Sequence, residues 1–338
     1  TQQTSITEFG RSDERLHLWE RSPFYSLEVS GESLLRRHLS ADTAGEFPLF
    51  GDLMLDGVTD YLAIANRFAT EVVIGDMDCV YSSWATDAPG GFNEADVANL
   101  TRLVPLLALT MKAASLTRIT VTLVETYLGR DAGRKVLEGR IHRGVADRID
   151  AVLWFSDLRN YTKISDSAAP EQIIPMLNEY ADAILSAIHQ YGGDVLKLTG
   201  DGTLAIFTGT DRATACHAAL DASAQARQAV AVVNHRRAAE SLPTTDMYMG
   251  LHVGEVFYGN IGSSERLDFT VVGPAVNEVS RIANMCRNVD QPMLVSSPFA
   301  SAIGEPNGRL VSVGRYALRG VARPQELFTL DHEPDVPE

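Results

Sequence analysis

The chain has 338 residues, more than one hydrophobic core usually serves, so two domains are expected. A formal charge of −15 repels nucleic-acid backbones and anionic membrane surfaces, which disfavours DNA or RNA as partners yet permits an anionic small substrate accompanied by a metal ion. The three cysteines, Cys79, Cys216 and Cys286, show no zinc spacing and no disulfide framework, and no secretory pattern opens the chain, so free thiols in a cytoplasmic protein are the expectation.

The first twenty or so residues are polar and read as loosely ordered. From about Ser22 to Trp84 short apolar runs alternate with turn signals: "YLAIANRF", "EVVIG" and "CVYSSWAT", then Pro-Gly-Gly at 89–91. Asn93 reads as a helix N-cap with Asp96 in the first turn. From Glu94 to Tyr127, Val97, Leu100, Val104, Leu107, Met111, Leu116, Ile119 and Leu123 recur at helical spacing, and Pro105 is expected to bend the helix. This helix is either a core element of the first domain or a dimerising signalling helix. Its most apolar part, "LVPLLALTMKAASL", contains Lys112 and is short for a bilayer, so no membrane span is expected. "YLGRDAGRKVLEGRIHRG" is glycine-punctuated and basic, and reads as a linker. The divisions expected are a domain at 1–120, a helix and linker at 94–145, and a second domain at 149–331.

The second domain opens on a buried-type strand, "AVLWFSD". An amphipathic helix, Ala169 to Tyr191, follows, opened by Pro170 and Glu171. "GGDVLKLTGDGTLAIF" reads as a hairpin, 212–236 as a helix, "MYMGLHVGEVFYGNIG" as a strand pair, "AVNEVSRIANMC" as a helix and "PMLVSS" as a strand, with a short helix and strands to Leu330. The order β-α-β-β-α-β gives the fold class as α+β, a ferredoxin-like palm with helices on one sheet face.

Two stretches carry chemistry, "FSDLRNYT" at 155–162 and "LKLTGDG" at 196–202. Each sets an aspartate, Asp157 or Asp201, at a strand end, and in a palm those strands are neighbours. Two carboxylates at one spot repel unless a cation neutralises them. An all-oxygen set suits Mg²⁺ or Mn²⁺, and a two-metal site would serve an in-line phosphoryl displacement. Two aspartates capping turns through local amides fit the spacing as well.

Four motifs in order, "FSDLRNYT", "GGDVLKLTGDGTLAIF", "GLHVGEVFYGNIGSSERLDFTVVG" and "VGPAVNEVSRI", make residues from about 150 to 330 closely resemble the catalytic domain of class III nucleotidyl cyclases. The resemblance implies roles residue by residue. Asp157, Asp201 and the Leu158 carbonyl match ligands of two Mg²⁺ or Mn²⁺ ions. Lys197 matches the adenine-reading lysine, and Thr270 the position of its partner. Asn277 and Arg281, four apart on one helix face, match the ribose-orienting asparagine and the arginine that meets charge at the α-phosphate. The implied reaction converts ATP to 3′,5′-cyclic AMP and pyrophosphate in a head-to-tail homodimer with two sites, inactive as a monomer.

Asn160 and Tyr161, followed by Thr162, stand near the expected triphosphate where the family more often has glycine and phenylalanine, and Asn160 is expected to need a permissive backbone. Val321 aligns with a phosphate-binding lysine, so Arg266, Arg319 or Arg323 is expected to supply that charge. The region before residue 120 faintly resembles a GAF domain, which implies either a sensor for an unknown signal or a structural module. Lys197 and Thr270 argue against a guanylate cyclase, where glutamate and cysteine are expected. The retained site residues argue against a catalytically silent binding module.

Overall fold

A computed structural model describes residues 13–68, 78–304, 310–321 and 323–331. Residues 1–12 and the "EVVIG" run at 71–75 lie outside the described residues. The chain divides into two compact units, Thr1–Thr120 and Val121–Glu338.

In the first unit come α1 (Asp13–Glu20), α2 (Pro23–Ser30), β1 (Leu34–His38), α3 (Pro48–Leu55), β2 (Asp60–Arg67), β3 (Cys79–Thr86) and the start of α4 (Glu94–Leu128). The helix α1 occupies residues expected to be loosely ordered. The three strands form one antiparallel sheet in the order β1-β2-β3. The period of two in β2 explains its two cores. Tyr61, Ala63 and Ala65 pack with Leu27 and Phe50 on one face, while Leu62 and Ile64 pack with Val104 on the other. Asp60 is fully buried, and its Oδ2 accepts from Arg36 Nη2 at 2.8 Å and from the Phe92 amide at 2.9 Å. A reciprocal capping box starts α4: the Asn93 amide donates to Asp96 Oδ2 at 3.0 Å and the Asp96 amide to Asn93 Oδ1 at 2.9 Å. These strands and helices do not by themselves establish a GAF architecture.

The helix α4 has 35 residues and is continuous through Pro105. It contains an 18-residue stretch apolar enough, by length and composition, to cross a membrane. The sequence-based exclusion of a span took the apolar part as shorter than that and does not hold for this helix. Leu109 and Leu123 on it are 55% and 46% exposed.

The second unit takes in α5 (Arg130–Leu137), β4 (Ala146–Leu158), α6 (Tyr161–Ser167), α7 (Pro170–Gln190), β5 (Gly193–Thr199), β6 (Gly202–Phe207), α8 (Arg212–Ala239), β7 (Met247–Gly262), β8 (Leu267–Val272), α9 (Pro274–Val289), β9 (Met293–Ser296), α10 (Ser297–Ile303), β10 (Leu310–Tyr316) and β11 (Gln325–Leu330). The sheet runs β10-β11-β9-β7-β4-β6-β5, with β8 paired to β7 off that path. Its core β7-β4-β6-β5 is the antiparallel order of a ferredoxin-like palm.

Alternation along the strands sends side chains to two cores. Val152 and Trp154 of β4 join Phe207 of β6 under α7 and α8. Leu153 of β4 and Leu204 and Ile206 of β6 face the other way, under α5, α9 and β8. Helices therefore cover parts of both faces, not one face as the sequence suggested. The expected linker holds α5, whose Ala132 is buried in this second core. The expected strand pair at 247–262 is one continuous strand, β7. Its internal glycines make close contacts in place of turns. A β-carbon at Gly250 would stand 2.7 Å from the Val279 carbonyl and the Ala283 amide, so its absence lets α9 lie directly on β7.

Candidate active site

Asp157 is the penultimate residue of β4 and lies opposite Gly202, the first residue of β6. Asp201 occupies the turn between β5 and β6, so both carboxylates meet at one corner of the sheet. A β-carbon at Gly202 would stand 2.7 Å from Thr199 Oγ1 and 3.2 Å from the Ser156 carbonyl, which keeps this corner tight. Burial, and then the neighbouring Asp201 charge, push the Asp157 carboxyl up to about 6, with Arg287 opposing. Among the described residues no group of three or more carboxylate, histidine or cysteine side chains is placed to hold a metal ion. A hard divalent cation fits such a pair of repelling carboxylates, which would neutralise it while backbone, water and substrate oxygens complete the shell. Leu158 follows Asp157 with its side chain buried in the α7–α8 core.

Next to this corner Asn160 adopts the left-handed conformation, φ 58° and ψ 22°, at the start of α6. This is a backbone state asparagine tolerates. Tyr161 packs against the hydrophobic core, which gives that side chain a structural occupation, and Thr162 is exposed.

A register shift between Val195 and Lys197 interrupts the β5–β6 ladder. Leu196 goes into the core and Lys197 to the surface. Lys197 Nζ donates to Asp268 Oδ2 at 2.6 Å, with the side chains 49% and 44% exposed. Sequence reasoning paired Lys197 with Thr270 and missed Asp268. Phe269 and Val271 are buried, so Asp268 and Thr270 share the opposite face of β8. That alternation in "LDFTVV" was the available signal.

On α9, Val279, Ile282, Ala283 and Cys286 face inward. Asn277 is exposed and Arg281 half-buried, and among the described residues no ion pair engages Arg281. Glu278, between them, accepts from Gln325 Nε2 of β11 at 2.9 Å and lies 3.6 Å from His252 Nε2. His252 is buried, with Nδ1 2.8 Å from Ser296 Oγ. This support for α9 was not legible in the sequence. Arg266 sits in the β7–β8 turn, where its amide meets Ser263 Oγ at 3.1 Å. Val321 packs in a small core beside Leu318, and Arg319 and Arg323 are exposed. Within one chain no hydrogen bond or ion pair among the described residues joins Asp157 or Asp201 to Asn277 or Arg281.

The profile of the family described as "Adenylate and Guanylate cyclase catalytic domain" matches residues 145–331. The adenylate cyclase of Anabaena cylindrica is 32% identical over 170 residues, covering 49% of this chain and 33% of that protein. Adenylate cyclase 1 of Rhizobium meliloti is 26% identical over 211 residues, covering 58% of this chain and 32% of that protein. The chain thus spans about a third of the length of these curated relatives. Among solved structures, the adenylyl cyclase CyaB from P. aeruginosa aligns with TM-score 0.52 and 23% identity over 56% of this chain and 97% of that one. A bacterial light-regulated adenylyl cyclase aligns with TM-score 0.57 and 21% identity over 68% of this chain and 64% of that one. At these identities the two structures speak for the fold alone. With the palm sheet, the paired aspartates and a matching profile over more than half its length, the chain belongs to the family of adenylate and guanylate cyclase catalytic domains.

Proposed function

We propose that the chain is an adenylate cyclase, which forms the bond between the ribose 3′-oxygen of ATP and its own α-phosphorus. The α–β phosphoanhydride bond breaks, pyrophosphate leaves with its electron pair, and the hydroxyl proton passes to solvent. The observation that carries this reading is the Asp157–Asp201 corner, where burial and mutual repulsion call for a cation. When bound there, Mg²⁺ or Mn²⁺ supplies Lewis-acid activation of the attacking oxygen and charge neutralisation on the phosphates.

Asp157, Asp201 and the Leu158 carbonyl hold the ions in this reading. Lys197 donates to adenine N1, an acceptor, whereas N1 of guanine is a donor and would be rejected. Asn277 orients the ribose. Arg281, half-buried on α9, stabilises the charge that grows on the α-phosphate oxygens. The relatives named adenylate cyclase support the choice of ATP.

Two copies complete the site in this reading, as the likeness to class III cyclases implies, with the aspartate corner of one facing Asn277 and Arg281 of the other. Leu109, Leu116 and Leu123 recur every seven residues on α4, with Leu106, Ala113, Thr120 and Tyr127 three residues before or four after each. That is the a and d spacing of a parallel coiled coil, which suits pairing with a second copy. The first unit then acts as a regulatory module for a signal of unknown chemistry.

The test is turnover of ATP and GTP by the purified chain with Mg²⁺ and with Mn²⁺, beside Asp157→Ala. Cyclic AMP from the wild type, lost in the variant, is expected. Preferential use of GTP would replace this reading with guanylate cyclase, and no product from either nucleotide would overturn it.

A further inference from the structure

We propose that Gln325, with His252 beside it, is a positioning residue for Arg281. It holds the Glu278 carboxylate away from a guanidinium that the reaction needs unpaired. The inference rests on the cyclase reading above, in which Arg281 meets the charge at the α-phosphate.

Glu278 and Arg281 are three apart on α9, the spacing at which an acid and an arginine share a helix face and pair. Here they do not pair. The Glu278 carboxylate turns elsewhere: its Oε2 accepts from Gln325 Nε2 at 2.9 Å and stands 3.6 Å from His252 Nε2. The Arg281 guanidinium lies against Gly320 and, among the described residues, has no ion pair or hydrogen bond. An arginine already bound to a carboxylate must give up that bond before it can meet a phosphate oxygen. The direction of the Glu278 side chain therefore decides whether Arg281 is available.

Both groups that set this direction are fixed from outside α9. Gln325 opens β11, which pairs with β10 and β9. Its Oε1 is buried without a partner among the described residues, an arrangement that stability alone does not favour. His252 is buried on β7. The Ser296 hydroxyl accepts from the Phe299 amide at 3.3 Å and lies 2.8 Å from His252 Nδ1. It can thus give its own proton to Nδ1, which leaves the ring proton on Nε2, toward Glu278. Gly254 lets the first turn of α9 come this close, since a β-carbon there would stand 2.9 Å from Ala275 Cβ and 3.4 Å from His252 Nε2. Two donors on two strands converge on one carboxylate oxygen, and both favour the arrangement that leaves Arg281 open.

The experiment uses the full chain with Mn²⁺ and compares wild type, Gln325→Leu, Glu278→Gln and the double variant, with whichever nucleotide the wild type turns over. Leucine removes the donor and the buried orphan acceptor together, so the fold is expected to survive. Gln325→Leu is expected to lower kcat about three- to tenfold with KM within about twofold, because Glu278 is freed to pair with Arg281. Adding Glu278→Gln is expected to bring kcat back to within about twofold of wild type, since an amide cannot form that ion pair. If Gln325 only anchored α9, the double variant would lose a second anchor. A double variant no faster than Gln325→Leu, or a Gln325→Leu as fast as wild type, overturns the proposal. Gln325→Glu, which keeps the shape and drives the Glu278 carboxylate off by repulsion, gives the same reading through the same rescue if Gln325→Leu does not fold. Turnover of neither nucleotide overturns the cyclase reading alone. Modification of Arg281 by phenylglyoxal, followed on its peptide by mass spectrometry, then decides. It is expected to be at least about twofold slower in Gln325→Leu than in wild type and to recover in the double variant. Equal rates in the three proteins overturn the role of Gln325.

Discussion

The guanidinium of Arg281 rests against the backbone of Gly320, where a β-carbon would stand 3.2 Å from Nη1 and 3.4 Å from Nη2. Gly320 has a φ of 73°, a state that costs other residues about 1–2 kcal/mol. A side chain at 320 therefore both strains the β10–β11 connection and displaces the arginine. Gly320→Val is expected to lower kcat about 10–100-fold while leaving KM for ATP within about twofold, because in the proposed reading Arg281 acts on charge that exists only in the transition state. Steady-state kinetics on the folded variant checks this, and a rise in KM alone would place Arg281 in ground-state binding.

Asp157 illustrates a residue kept at a cost to folding. Its carboxyl is raised to about 6 by burial and by Asp201. Asp157→Asn removes the repulsion and is expected to stabilise the metal-free protein by roughly 1 kcal/mol after discounting for solvent exposure. In the proposed reading the same substitution weakens metal binding, worth several kcal/mol of barrier, so activity is expected to fall about 10³-fold. A melt and an assay on one preparation test both halves, and a variant that is less stable without metal would refute the repulsion argument.

The palm was legible because its strands are apolar runs bounded by Gly and Asp signals, and "GGDVLKLTGDGTLAIF" sets both β5 and β6. Asp157 and Asp201 were legible as candidates from position alone, one near the end of a strand and one in the turn of a hairpin. What stayed hidden was set by packing across distant segments. "MYMGLHVGEVFYGNIG", with its four glycines, reads as a strand pair, while in the fold Gly250 admits α9 and β7 never turns. Lys197 meets Asp268, 71 positions away, through β8 crossing toward β5, and no local pattern encodes that. His252 reads as an ordinary strand residue until Ser296 and Glu278 are brought to it.

The proposed metal site implies a pH signature in stability. A carboxyl whose folded pKa lies above its unfolded value contributes stability that is present below about 4 and is lost as pH rises through about 6. Above 6 the Asp157 carboxylate is ionised beside Asp201, the form that binds a cation. Stabilisation by added Mn²⁺ is therefore expected to be large at pH 7.5 and to shrink by several degrees of Tm at pH 5, where protons compete. Equal shifts at the two pH values would exclude Asp157 as a ligand.

The leucine stripe on α4 makes oligomeric state a readout. Leu109 and Leu123 are exposed within one chain, and glutamate at both positions sets like charges facing each other across a two-stranded seam. Leu109→Glu with Leu123→Glu is expected to turn dimer into monomer in light scattering and to reduce turnover at least tenfold. A wild type that partitions into vesicles, and a double variant that stays in solution, would instead assign the stripe to lipid.

His252 adds an acid limb with the opposite sign to Asp157. Burial holds its pKa below 6.5, Arg212 pushing the same way and Glu278 opposing. Folded His252 is therefore neutral where the unfolded chain takes up a proton. Its contribution is present above about 6.5 and is lost as pH falls below that value. His252→Gln is expected to flatten stability against pH in this range, and to cost about 1–3 kcal/mol at pH 7.5 through imperfect contacts to Ser296 and Glu278. Because Glu278 sits between Asn277 and Arg281 on α9, the variant is also expected to lower kcat more than it raises KM. Unchanged kinetics in a protein of lower Tm would confine His252 to holding β7 and β9 together.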